Sequence, residues 1–252
     1  MRATVRVLLC AVPVLMAGAV LAAPPPDPSN EAELTFSTGL SHMREGRTAQ
    51  AIEQFKKATR QDPKNPYFHK GLGLALAELH KYDEAIAELR KAIELNMYYV
   101  DVRNDLGSVL VLSGRRDEGK TELLAAFNEP TNPTPELSAR NLGQAYFEEK
   151  NYAQALTWFQ TSLQRNKKCP DAYLGIADVL LQQGKLDDAI AQLEAGVNAV
   201  PQHRALLLSL GEAYYRAGRF TEARGRLEEV IKKDPLDPVG KHAAEMLSKF
   251  SK

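Results

Sequence analysis

Residues 72–95 read LGLALAELHKYDEAIAELRKAIEL, two apolar helical patterns joined by a short polar segment. Large residues such as Leu72, Leu76 and Leu89 recur at the spacing of one helix face. The small residues Gly73 and Ala85 stand where two antiparallel helices would approach each other most closely. This stretch therefore predicts a helical hairpin.

The same pattern recurs along the chain with a nearly constant period. A small residue in each first helix occurs at Gly39, Gly73, Gly107, Gly143, Ala177 and Gly211, with steps of 34, 34, 36, 34 and 34. A second series from each following helix has the same five steps, at Ala51, Ala85, Gly119, Ala155, Ala189 and Ala223. Self-similarity at a fixed period is typical of a stacked repeat protein.

The period and the residues together resemble the tetratricopeptide repeat, also in LGEAYYRAGRFTEARGRLEEVIKKDP at 210–235. The resemblance implies an all-α fold, a right-handed superhelical solenoid of six helix hairpins. The predicted units are 32–65, 66–99, 100–135, 136–169, 170–203 and 204–237. A stacked array leaves an apolar face at its end, so we interpret residues 238–252 as a capping helix. Turns are expected at Gly46, Gly114, Gly184 and Gly218.

The one 36-residue step falls in a proline-rich segment, FNEPTNPTPEL at 127–137. Prolines lack an amide donor and disfavour helix in the preceding residue, so the second helix of unit three should end near Asn128. Pro135 then suits the first turn of the next helix, with Thr134 as its cap. From physics alone, the two extra residues are explained equally well by a tolerated loop insertion and by a loop with a functional role.

The N-terminus has the pattern of a secretory signal peptide. Arg2 and Arg6 precede an apolar run at 7–21, and small residues follow. We predict a signal peptide at 1–22, a proline-rich leader at 23–31 and export to the periplasm or the periplasmic face of the outer membrane. Cys10 follows Leu9 near the start of the run, which does not fit a lipoprotein signal and argues against a lipid anchor.

The composition favours a protein-binding role over chemistry. Lys plus Arg equals Asp plus Glu at 32 each, which removes the main electrostatic reason to expect nucleic-acid binding. The five histidines lack metal-ligand spacing, and no glycine-rich phosphate loop is present. Adjacent acids such as Asp187 and Asp188 diverge on a helix and cannot act as an acid and base pair. We predict a non-enzymatic protein without metal or cofactor.

A second resemblance narrows the function. The sequence VRNDLG at 102–107, the long proline-containing loop, NLG at 141–143 and ADVLLQQGKLDDA at 177–189 are similar to the type IV pilus biogenesis and stability family, the PilF, PilW and Tgl proteins. This resemblance implies an accessory factor that helps the outer-membrane secretin pore to assemble. The alternative is a generic periplasmic scaffold of tetratricopeptide repeats for another envelope complex.

A protein client would bind the concave groove that the first helices line in such a solenoid. The predicted groove residues are Phe36, Leu40, Tyr67, Lys70, Leu74, Asn104, Ser108, Arg140, Gln144, Leu174 and Asp178. This mixed apolar and polar lining suits an extended peptide or an amphipathic helix. Some repeats of this kind hold a terminal carboxylate with a Lys and, four positions later, an Asn. That pair is incomplete here, because Leu74 lies four positions after Lys70 and Gln144 four positions after Arg140. Any of these side chains could instead pack on the next unit.

Overall fold

The computed structural model describes residues 31–96 and 100–251. The predicted signal peptide, and the leader up to residue 30, lie outside this part of the chain. Within it the secondary structure consists of thirteen α-helices and a final 3₁₀ turn at Lys249–Ser251, without any strand. None of these helices combines the length and the apolar character needed to cross a membrane.

Twelve of the helices form six consecutive antiparallel pairs. In chain order the thirteen helices are α1 Glu31–Arg44, α2 Thr48–Gln61, α3 Pro66–Glu78, α4 Tyr82–Leu95, α5 Val100–Leu112, α6 Arg116–Asn128, α7 Pro135–Glu148, α8 Tyr152–Arg165, α9 Pro170–Gln182, α10 Leu186–Ala199, α11 Arg204–Arg216, α12 Phe220–Lys233 and α13 Pro238–Ser248, of which α1 to α12 form the pairs. Up to Asn132, and again from Pro133 onward, each pair packs on the pair that follows it. The predicted fold class, an all-α tetratricopeptide-repeat solenoid, is confirmed.

The chain divides into two compact units at the proline-rich segment. The first ends at Asn132 and contains α1 to α6, and the second begins at Pro133 and contains α7 to α13. As predicted, α6 ends at Asn128 and Pro135 lies in the first turn of α7. Thr134 occupies the N-cap position of α7 but makes no side-chain capping hydrogen bond. The loop is instead anchored to unit 1 by Asn132, whose amide donates to the Ala126 carbonyl at 2.7 Å.

Small residues in the first helices make the close packing of each hairpin possible. A Cβ built on Gly39 would lie 2.5 Å from the Phe55 ring, and one on Gly143 would lie 2.6 Å from the Phe159 ring. Each of these glycines faces a fully buried large side chain sixteen residues later in the sequence. The same relation joins Gly73 with Leu89, Gly107 with Leu123 and Gly211 with Leu227. The contact between this glycine and the large side chain therefore recurs with the period of the sequence.

The turns within the hairpins use the left-handed backbone conformation. The four predicted glycines, Gly46, Gly114, Gly184 and Gly218, have φ between 70° and 87°. His80 and Lys150 take the same conformation in the second and fourth hairpins, with φ of 58° and 60°. Side chains with a Cβ are strained in this conformation, which explains why glycine occupies four of the six turns.

The last helix covers the end of unit 2. Helix α13 packs on α12 and buries Ala243 and Met246. Asp237 caps α13 by accepting a hydrogen bond from the Gly240 amide at 2.7 Å. The Arg204 guanidinium donates to both oxygens of the same carboxylate, at 2.5 and 2.8 Å. This two-point contact holds the start of α13 against α11.

Candidate protein-binding surface

In unit 1 the accessible part of the predicted surface is centred on Tyr67. The Phe36 ring lies 5.0 Å from the Phe55 ring and 4.9 Å from the Phe68 ring, so it is largely engaged in packing hairpin 1 on hairpin 2. Leu40 is also half-buried against the core of this unit. Tyr67, in the first turn of α3, is 42% exposed. It therefore presents the largest apolar surface among these three positions.

Two predicted groove residues, Lys70 and Leu74, are buried instead. Lys70 is 6% exposed and Leu74 7% exposed. The Lys70 ammonium lies 2.5 Å from an Asp101 oxygen and 3.5 Å from an Asp105 oxygen, so it joins α3 to α5. We therefore correct the prediction for these two positions: neither side chain lines an open surface.

The partners of Lys70 have unusual electrostatics. Burial raises the pKa of Asp105 to about 6; Lys70 opposes this shift and the charge of Asp101 adds to it. Burial disfavours the Lys70 ammonium, but the two carboxylates outweigh burial, and the pKa of Lys70 is raised. One cation thus serves two carboxylates, of which Asp105 is the buried one.

Acidification is expected to strengthen the wild-type fold relative to an Asp105→Asn variant. The pKa of Asp105 is about 6, above the ordinary value of 3.8, so its contribution to stability is fully present below pH 3.8 and is lost as the pH rises through 6. Going from about pH 7.5 to about pH 5 should favour the wild type by about 1 kcal/mol. Urea denaturation of both proteins at both pH values measures this difference. An equal response of the two proteins would contradict the burial argument.

Asp105 was missed by the sequence analysis although the sequence contains a signal for it. Val102, Leu106 and Val109 form the buried stripe of α5, and Asp105 lies on the same stripe by helical spacing. A carboxylate in such a position needs a cationic partner. A search for one in the neighbouring first helix would have found Lys70.

Two further predicted groove residues, Asn104 and Ser108, are half-buried on α5. The Ser108 hydroxyl donates to the Asn104 carbonyl at 3.0 Å. Both residues keep part of their surface accessible. They therefore remain candidates for contact with a partner.

In unit 2, Arg140 and Gln144 lie on the first helix, α7. Arg140 is half-buried, with its Nε 3.9 Å from an Asp171 oxygen, and this Nε has no hydrogen-bond partner among the described residues. Gln144 is exposed, and its amide donates to Glu148 at 3.2 Å. The 31-residue separation of Arg140 and Asp171 is also that of Lys70 and Asp101. A basic residue of one hairpin thus faces an acidic residue in the first turn of the next pair.

Leu174 and Asp178 continue this surface on α9. Leu174 is half-buried against the core, whereas Asp178 is exposed. The protein around the exposed Asp178 carboxylate still removes part of its hydration. Together with the charge of Glu212 this raises the pKa of Asp178 to about 6, while Arg216 opposes the shift. Glu212 itself contacts the His242 ring nitrogen at 2.7 Å.

No arrangement for metal chemistry is found in the part of the chain that the structure describes. None of its groups of His, Cys, Asp and Glu has the three members needed to hold an ion. Cys169 is buried at the N-cap of α9, packed in the core of unit 2.

Comparison with known proteins identifies the class. Two sequence models of the tetratricopeptide repeat match the chain, one at residues 36–100 and 174–238 and the other at 136–202. The chain belongs to the tetratricopeptide repeat family.

Within that family the chain is related to type IV pilus proteins. It is 30% identical to the type IV pilus assembly protein PilF of Pseudomonas aeruginosa over 186 residues, which cover 73% of this chain and 74% of PilF. The predicted resemblance is therefore confirmed.

Two solved structures show the same fold. PilW, a widely conserved type IV pilus biogenesis factor, aligns with a TM-score of 0.66 and 20% identity over 86% of this chain and all of PilW. The structure of Pseudomonas aeruginosa PilF aligns with a TM-score of 0.62 and 23% identity over 85% of this chain and 97% of PilF.

Proposed function

We propose that this protein is a non-enzymatic adaptor of the bacterial envelope that binds a protein client and assists type IV pilus assembly through the outer-membrane secretin. The observation that carries the proposal is the relation to PilF, which extends over about three quarters of both chains. The proline-rich segment and the NLG helix, on which the sequence resemblance depends, lie within the repeat array and not in an appended domain.

The client is a protein segment bound by the accessible side chains of the first helices. The proposed contacts are Phe36, Leu40, Tyr67, Asn104 and Ser108 in unit 1 and Arg140, Gln144, Leu174 and Asp178 in unit 2. Apolar area beside polar groups suits an extended peptide or one face of an amphipathic helix. Export to the periplasm, which follows from the signal-peptide pattern, would bring this surface to the compartment in which a secretin assembles.

Deletion of the gene tests the function. We expect fewer detergent-resistant secretin multimers and fewer surface pili, and both should return when the wild-type gene is supplied. Normal multimers and normal piliation after deletion would contradict the proposal. Loss of a different envelope complex, with pili intact, would favour the generic scaffold instead.

A matched pair of variants tests the surface. Tyr67 and Leu79 are equally exposed, at 42% each, but Tyr67 lies in the first turn of α3 and Leu79 at its end. Truncation of an aromatic hot spot at an interface costs at least about 2 kcal/mol of binding. Tyr67→Ala should therefore fail to restore the multimers, whereas Leu79→Ala should restore them. Equal complementation by both variants would place the client elsewhere.

A further inference from the structure

Three aromatic rings form a partly exposed cluster in unit 2. Tyr215 at the end of α11, Phe220 at the start of α12 and Phe250 in the final 3₁₀ turn contact one another edge to face, with centroids 5.5, 5.0 and 5.9 Å apart. Phe220 is 54% exposed. An aromatic side chain so exposed contributes little to the core, and the three rings in contact form a continuous apolar patch.

The rings line an open pocket of about 440 Å³, which we call the aromatic pocket. Its remaining lining residues are Thr221, Arg224 and Lys249. A volume in the range of roughly 300–1,000 Å³ is typical of ligand sites, and an apolar lining with a few polar groups is their usual composition. The pocket therefore has room for a large side chain together with adjoining backbone.

The charge of the aromatic pocket is positive. Its lining contains two cations and no acidic side chain. The Arg224 guanidinium lies 5.5 Å from the centre of the Phe250 ring. Nearby arginines behave differently, because Arg219 pairs with Glu222 and Arg226 with Glu229, each at 2.9 Å. Arg224 lines the aromatic pocket beside the Phe250 ring, where it would attract an anion.

We propose that the aromatic pocket binds an acidic peptide segment that carries an aromatic side chain. The aromatic side chain would pack on Phe220 and Phe250, and flanking carboxylates would pair with Arg224 and Lys249. A cationic ligand is disfavoured by the two basic side chains. This site is separate from the proposed contacts on the first helices, and the inference does not depend on the proposed function.

Short peptides provide the probe. The pentapeptide EEFEE, acetylated and amidated at its ends, should bind the full protein in a calorimetric or NMR titration. The peptide EEAEE lacks the ring, and KKFKK lacks the negative charge. Each should bind at least about tenfold more weakly, because one loses the aromatic contact and the other reverses the electrostatic complementarity. Equal binding of EEFEE and EEAEE, or of EEFEE and KKFKK, would overturn the proposal.

Variants of the protein locate the binding. R224E/K249E reverses both cations of the aromatic pocket and should weaken EEFEE binding by at least about tenfold. K232E/K241E makes the same change in net charge at exposed positions outside the pocket, and should leave EEFEE binding nearly unchanged. F220S removes a ring that is mostly outside the core, so it should weaken binding while the thermal unfolding midpoint stays nearly unchanged. If both double variants lose binding equally, general charge and not the pocket attracts the peptide.

A vesicle-binding assay distinguishes a peptide-binding site from a membrane-binding site. Co-sedimentation with phosphatidylglycerol vesicles, compared with phosphatidylcholine vesicles, measures attraction to an anionic membrane. We expect no difference between R224E/K249E and K232E/K241E in this assay. Selective loss of vesicle binding by R224E/K249E, without binding of EEFEE to the wild type, would assign the aromatic pocket to a membrane surface and overturn the proposal.

Discussion

Replacing Phe159 with alanine is expected to destabilise unit 2 by about 3–5 kcal/mol. The Phe159 ring is fully buried between α7 and α9. A Cβ on Gly143 or on Gly175 would lie 2.6 Å from atoms of this ring, so the ring fills the space that both glycines leave open. Its removal creates a cavity bordered by rigid helix backbone on both sides. Denaturant unfolding followed by the fluorescence of Trp158, the single tryptophan of the sequence, reports directly on this unit.

A double-mutant cycle distinguishes this interlocking contact from a general loss of apolar area. Gly175→Ala should destabilise the wild type strongly, because the ring cannot move away from the new methyl group. In the Phe159→Ala background the same substitution should be tolerated. Gly225→Ala is the control, since a Cβ at this helical position would meet no atom within 4 Å. Additive effects of the two substitutions at 159 and 175 would show that they do not share the contact.

Lys70→Met is expected to destabilise unit 1 by about 3 kcal/mol at neutral pH. The substitution keeps most of the apolar length of the side chain but removes the cation from between Asp101 and Asp105. Asp105 is buried, so its charge would remain in the interior without compensation. Urea denaturation followed by circular dichroism measures the loss.

The electrostatic origin of that loss can be tested in two ways. Lowering the pH from neutral to about 6 should reduce the penalty, because Lys70 holds the pKa of Asp105 down and its removal lets the carboxyl group protonate above the wild-type pKa of about 6. The double variant Lys70→Met, Asp105→Leu should be more stable than Lys70→Met alone, since it replaces the isolated charge with apolar contact. If the double variant is no better and the penalty is independent of pH, Lys70 stabilises the protein by packing alone.

The repeat architecture was predictable because each hairpin obeys a local rule that the next one repeats. The glycine at position 39 and the phenylalanine at 55 reappear as Gly143 and Phe159, and all of them are buried as the spacing requires. The end of α6 followed equally directly from the proline segment. The turns at His80 and Lys150 carry no glycine, but the period alone places them.

The surface was less predictable, because the exposure of a side chain depends on contacts between successive hairpins. The spacing within α3 places Lys70 and Leu74 on an inward face, but the spacing contains no information about what α5 brings to that face. Asp101 and Asp105, more than thirty residues later, turn Lys70 from a surface residue into the centre of an ion-pair cluster. Tyr67 is exposed because it lies one turn closer to the start of the same helix. The aromatic pocket was not predicted for a similar reason. Its rings come from α11, α12 and the final 3₁₀ turn, and no single repeat motif contains all three elements.

The position of Phe159 between glycines of two successive hairpins constrains how such a chain can evolve by duplication. A copied repeat brings its own equivalents of Gly143 and Phe159, but the second glycine, Gly175, belongs to the hairpin that follows. A repeat inserted at this junction is therefore accommodated only if it has a glycine at the position equivalent to Gly175. Recombination between repeats is thus limited by pairs of residues that are inherited from different hairpins and must match when they meet.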